Sequence, residues 1–278
     1  MSLMKKLNGE IYMFLTRKAQ KKIRLLTGAY YVLGLFCFLV SAMFSWLGME
    51  IKVLMILGII SLVLGVLFGA TGKYAEGTGK LINSGNKLVF HELRPAEFIR
   101  LYQEKRDCPE NVIVKPSFDV LRLLLTAYSA LGNYDRELEV LDQMLSIASE
   151  KQKRIAKLLK SSLLFSIGKV EEANILYNQV LNEKMDLITK GTLDIVMKTD
   201  RAIALGDFAT AEAYFKQKLA ASFPKNTPLS TLYLHLCLGK IYYSTGRSEQ
   251  AKIHFNYCIE NGGETAIPSE ASNLLEKM

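Results

Sequence analysis

From residue 118 to the end, apolar and polar residues alternate at helical spacing, and the alternation itself repeats. Four blocks read alike: GNYDRELEVLDQML (132–145), GKVEEANILYNQVL (168–181), GDFATAEAYFKQKL (206–219) and GRSEQAKIHFNYCI (246–259). Their leading glycines, Gly132, Gly168, Gly206 and Gly246, stand 36, 38 and 40 residues apart. Five positions after each comes Glu137, Ala173, Ala211 or Ala251, and nine after comes Leu141, Tyr177, Phe215 or Phe255. An apolar helical run precedes each glycine: VLRLLLTAYSAL, RIAKLLKSSLLFSI, LDIVMKTDRAIAL and LYLHLCLGKIYYST. The pattern predicts helix–turn–helix units. Glycine frees the turn, a small residue lets the second helix press close, and a large residue one turn on fills the space between. Such units cannot bury their apolar faces alone and must stack.

The first quarter of the chain reads differently. Residues 25–47 and 53–72 carry no charged side chain, and only GMEIK separates them. A bilayer core needs about 20 apolar residues in a helix, so the runs predict a transmembrane hairpin, preceded by a basic, partly amphipathic segment at 1–24. The composition and length do not fit a cleaved signal peptide. Ser61, Gly65 and Gly69 fall four apart in the second run, a stripe of small residues on which a helix can pack closely. That helix is either the first run or a second copy of the chain. No Asp, Glu, Lys, Arg or His lies inside either run, which argues against a transport path.

Charge changes the picture in two ways. The net +8 is wholly local: residues 1–24 carry +6, residues 71–95 carry +2, and residues 96–278 balance to zero. By the positive-inside rule this places both termini on the cytoplasmic side of a plasma or inner membrane. Tyr30, Tyr31, Trp46 and Tyr74 fall where interfacial aromatic rings would sit. The same count removes nucleic acid as a partner, because the large C-terminal domain lacks a clustered basic excess. A connector at 73–94, KYAEGTGKLINSGNKLVFHELR, holds GTGK but fails the phosphate-loop pattern, with Tyr74 and Leu81 at its two ends. The domain at 95–278 opens on a helix, PAEFIRLYQEKRD, with Phe98, Leu101 and Tyr102 on one face.

Candidate chemistry is sparse. Cys37, Cys108, Cys237 and Cys258 are expected to stay reduced. His254 and Cys258 share a helix face, but His235 and Cys237 diverge, so four ligands are not expected to converge on a metal. No nucleophile elbow, zinc-protease or paired-cysteine motif is present, so the expectation is neither enzyme nor cofactor.

The blocks resemble the tetratricopeptide repeat family, whose repeat is about 34 residues. The resemblance covers residues 118–262. GKVEEANILY and GDFATAEAYF match its second-helix pattern, and LGKIYYSTGRSEQA its first-helix pattern. Glu137, Lys198 and Thr199 depart from it, and the family's tryptophan is absent. The resemblance implies an all-α chain: the hairpin, then a right-handed α-solenoid of about four helix pairs with a concave surface lined by first helices. Carried over position by position, that surface holds Arg122, Leu123 and Thr126; Leu158, Leu159, Ser162 and Phe165; Val196, Met197, Asp200 and Ile203; and Tyr233, Leu236, Lys240 and Tyr243. The Lys and Asn that some members use to grip a terminal carboxylate are replaced by Thr126, Ser162, Asp200 and Lys240. The groove is thus expected to be apolar and aromatic, suited to an amphipathic helix, or else filled by residues 95–107 or by PSEASNLLEKM at the C-terminus. Two functions follow. One is a membrane-anchored adaptor that binds a protein or peptide in this groove. The other is a structural or regulatory subunit of an integral membrane complex, joined through the hairpin. Homo-oligomerisation is compatible with both.

Overall fold

The computed structural model describes residues 25, 28–40, 52–107, 116–221 and 226–278, with the side chains of 52–55 and 67–77 excepted. All regular structure among these residues is helical. The basic segment 1–24, the GMEIK turn apart from Lys52, the surroundings of Gly69 and Cys108 lie outside them. The chain divides into two compact units, residues 3–80 and 81–278.

In the first unit, α1 (28–40) packs on α2 (Lys52–Gly85). Small residues set the closeness of the pair. A Cβ on Gly34 would lie 3.0 Å from Leu62, one on Gly58 would lie 3.1 Å from Phe38, and one on Gly65 would lie 3.4 Å from Tyr31. Ser61 is buried. Of the two partners weighed for the small-residue stripe, α1 is the one that Gly65 meets.

The expectation of two membrane spans is corrected here. Among the described residues, no helix is long and apolar enough to cross a membrane. The integral-membrane location and the cytoplasmic placement of both termini fall with the spans. The segment read as a connector is also largely helical. α2 continues to Gly85 and passes into a π-helical stretch, Asn86–His91.

The second unit begins within α2 at Leu81 and continues through α3 (Pro95–Asp107), four helix pairs and a last helix, α13 (Ile267–Leu275). The pairs are α4 (Phe118–Ala130) with α5 (Tyr134–Ile147), and α6 (Glu150–Ser166) with α7 (Val170–Leu181). Then come α8 (Leu187–Lys198) and α9 (Asp200–Ala204) with α10 (Phe208–Ala220), and α11 (Pro228–Ser244) with α12 (Ser248–Asn261).

One device ends the first helix of every pair. Gly132, Gly168, Gly206 and Gly246 have φ of 64°, 81°, 77° and 74°. After each, the next N–H reaches back to a carbonyl five residues earlier: Asn133 to Tyr128, Lys169 to Leu164, Asp207 to Ala202 and Arg247 to Tyr242. This is the left-handed glycine cap that turns a chain sharply out of a helix. Asn133 and Asp207 then cap the second helices, accepting from the N–H groups of Arg136 and Thr210. The predicted packing residues fill the pairs: Ala173, Ala211, Ala251, Leu141 and Phe255 are fully buried, and Tyr177 and Phe215 nearly so.

The third pair is irregular. Its first helix breaks at Thr199, with φ −118° and ψ −102°. The Thr199 hydroxyl donates to the Ile195 carbonyl at 2.8 Å, the kind of side-chain bond that competes with the helix ladder. At the ends, the turn between α12 and α13 reaches back to the first pair and to the segment before α3. The Ala266 N–H donates to the Ala130 carbonyl at 2.8 Å, and the Glu264 N–H to the Leu93 carbonyl at 3.1 Å.

Candidate functional site

The candidate surface is the row of positions carried over from the repeat resemblance. The fold splits this row. Leu158, Phe165 and Val196 are buried together with Ala173, Tyr177 and Val180 in a core cluster of α6, α7 and α8. Leu123 and Leu236 are buried in the larger core. These five hold helices together and are closed to a partner. Arg122 and Met197 are exposed, and Leu159, Ile203, Tyr233, Lys240 and Tyr243 are half-buried.

Polar contacts link the row across pairs. The Tyr233 hydroxyl donates to Ser129 Oγ at 3.0 Å, joining α11 to α4. Lys240 Nζ lies 2.5 Å from Glu270 Oε1 on α13, so one inner position is taken by the C-terminal helix, one of the fillings considered for the groove. Ser162 donates to the carboxylate of Asp200, which also accepts from Thr199. Burial raises the pKa of Asp200 against those bonds.

Glu137 stands out. It occupies the position held by alanine in the other pairs, is 4% exposed, and its Oε1 has no hydrogen-bond partner among the described residues. Burial pushes its carboxyl up to about 7, only partly offset by Ser129. A carboxylate there departs from the repeat pattern, which is the signal the sequence offers; its isolation depends on packing across the stack.

The potential metal ligands are arranged otherwise than the sequence suggests. His235 and His254 meet between α11 and α12, Nδ1 to Nδ1 at 3.0 Å, and Tyr257 stacks on His235 at 3.8 Å. Burial, then His254, lowers His235 to about 4, and burial and Lys216 lower His254. A pair of neutral rings sharing one proton fits these shifts. Cys258 is turned to the Leu232 carbonyl at 3.6 Å. Burial pushes both Cys237 and Cys258 up to about 12, so they are inert as thiolates. Among the described residues, no group of three or more His, Cys, Asp or Glu is arranged to hold a metal.

Comparison with protein-family models, with curated proteins and with solved structures finds no match.

Proposed function

We propose that this chain is a scaffold or adaptor: a tetratricopeptide-like stack whose inner row binds a protein or peptide segment, working by holding and not by catalysis. The observation that carries the reading is the mixed inner row. Buried Leu158, Phe165, Val196 and Leu236 fix the helices, while exposed Arg122 and Met197, with half-buried Leu159, Ile203 and Tyr243, offer a charged and apolar surface on that rigid frame. Sites on packed helices present side chains with little ordering cost, which favours binding. The test is photocrosslinking in cells from an unnatural amino acid at Arg122 or Met197, with Glu249, on α12 and 85% exposed, as the control. One partner captured from both inner positions and absent from the control is expected. Equal capture from all three, or none from the inner two, would sink the reading.

A second reading has its own observation. The α1–α2 pair exposes Val32, Phe36, Leu39, Ile56 and Val66, each more than half exposed. Exposed apolar surface of this kind marks association sites, so the pair would join the chain, as a subunit, to an apolar helix of a larger protein complex. Phe36→Glu should then shrink the complex on native gels while the repeat unit stays folded; an unchanged complex would exclude it.

A further inference from the structure

The last helix pair holds its two histidines where proton uptake works against the packing. His235 of α11 lies against two side chains of α12, one turn apart. Tyr257 stacks on its ring at 3.8 Å, and His254 meets its Nδ1 at 3.0 Å. The ring cannot turn away without disturbing α12. Neutral rings satisfy this contact with one hydrogen bond, one nitrogen donating and the other accepting. Once both rings are protonated, both nitrogens are donors, and two positive charges face each other across that contact.

The surroundings do not offset those charges. Lys216 and Glu212 come from α10, and Arg247 stands just before α12. The acid, Glu212, is taken twice, by Arg247 at 2.6 Å and by Lys216 at 2.6 Å. These two cations hold its carboxyl down to about 2, so it stays ionised and paired in mild acid. Both cations also lie over the Tyr242 ring, which leans on His254. Charges on the other elements around the pair cancel locally. Glu270 of α13 pairs with Lys240, Lys87 of the π-helical stretch with Glu92, and Glu249 of α12 with Lys252. His91 on the π-helical stretch is exposed, and the thiols of Cys237 and Cys258 stay neutral. Both histidines are accordingly held below the usual imidazole range. The helix that would yield is α12. It packs chiefly on α11 and α13 at the end of the stack, and terminal units open at lower cost than interior ones. Beyond it the chain runs directly into the Glu264 and Ala266 bonds to Leu93 and Ala130.

We infer that the fourth pair is an acid-operated latch. When His235 and His254 are both protonated, α12 parts from α11 and draws the 264–266 turn off Leu93 and Ala130, while the first three pairs stay folded. Falling pH does not load the first pair in this way, because its buried carboxyl, Glu137, is neutral below about 7. The latch is independent of what the inner row binds: its failure would leave the crosslinks from Arg122 and Met197 untouched, and the reverse holds too.

The test is hydrogen–deuterium exchange of the full chain at about pH 7.5 and about pH 5, corrected for intrinsic exchange rates. On acidification, protection across residues 248–266 should fall at least tenfold, and across 134–181 less than about twofold. In H235N/H254N the fall across 248–266 should stay under about twofold. His254→Gln keeps a hydrogen-bonding side chain opposite His235 and removes one of the two charges, so the fall should stay under about threefold. This single change also serves if the double variant loses its helical circular dichroism. Unchanged protection at the lower pH, equal loss in both regions, or a loss that survives the substitutions would each overturn the inference. So would loosening of 248–259 with 260–266 still protected, since α12 would then move without drawing on the turn.

Discussion

The first and fourth helix pairs share one framework and solve its packing in opposite ways. Both turn on a left-handed glycine, and both bury the residue nine positions later completely. In the fourth pair that residue is Phe255, and the position seven before the glycine is Gly239, where a Cβ would lie 2.5 Å from the Phe255 ring. In the first pair the corresponding residues are Leu141 and Leu125, both buried. The middle pairs follow the fourth: Ser161 with Tyr177, and Thr199 with Phe215. Bulk on one helix is exchanged for bulk on the other, while the space between them is kept. The first pair differs again in Glu137, where the others have alanine. The comparison teaches that the repeat conserves volume before it conserves residue type, and that the first pair buries a titratable carboxyl where the others have alanine.

The exchange of bulk gives the largest expected effect. Gly239→Leu should cost about 3 kcal/mol or more, through overpacking against Phe255. Adding Phe255→Leu recreates the first pair's combination, and the double variant should recover at least half of that loss in urea denaturation. Additive losses would break the comparison, because they would mean the two positions do not share a space.

Glu137 comes next. Its carboxyl is raised to about 7 in the folded chain, so it keeps its proton where an unfolded chain, with a usual value near 4.5, has lost it. Stability should therefore fall as pH rises from 4.5 to 7 and stay flat above. The total is about 3 kcal/mol for this shift. Glu137→Gln should abolish that slope and stabilise the chain at pH 8. Urea midpoints measured across pH would decide it; a slope that survives the substitution belongs to another group.

The two histidines predict a smaller, opposite trend in the fourth pair. His235 is lowered to about 4, so an unfolded chain takes up a proton that the folded one refuses, and stability falls as pH drops below the usual imidazole range near 6.5. His235→Asn should flatten the acid side of the profile by about 1–3 kcal/mol at pH 4. The smallest effect sharpens the shared framework. Gly168→Ala and Gly246→Ala should each cost about 1–2 kcal/mol, because both residues hold positive φ where a Cβ is strained. Near-equal losses in thermal melts are expected, since neither site has an atom within 4 Å for a Cβ to meet.

The parts of this fold legible in the sequence are those set by local pattern. Glycine spacing gives the turns, and the apolar offsets give the buried faces. The break at Thr199 was foreshadowed by Lys198 and Thr199 standing where apolar residues are usual. Less legible were features that depend on residues far apart in the chain. Nothing local announces that Tyr233 reaches Ser129 or that Glu270 holds Lys240. Five of the inner-row residues, Leu123, Leu158, Phe165, Val196 and Leu236, read as surface from the repeat pattern and are core in the fold. The apolar runs at 25–47 and 53–72 misled because hydropathy counts residues alone. The described helices bring them together as a glycine-packed pair without supplying a span.

The hydrogen bonds from Ala266 to Ala130 and from Glu264 to Leu93 have a consequence for synthesis. An open stack of repeats can fold pair by pair as it leaves the ribosome, each unit adding to the last. Here the first pair and the segment before it acquire their final contacts only once residues 264–266 have emerged. Until then the early pairs wait with one end uncapped. The chain is thus made in order but completed at once, and a stalled or truncated product would lack the clasp even with every helix pair already written.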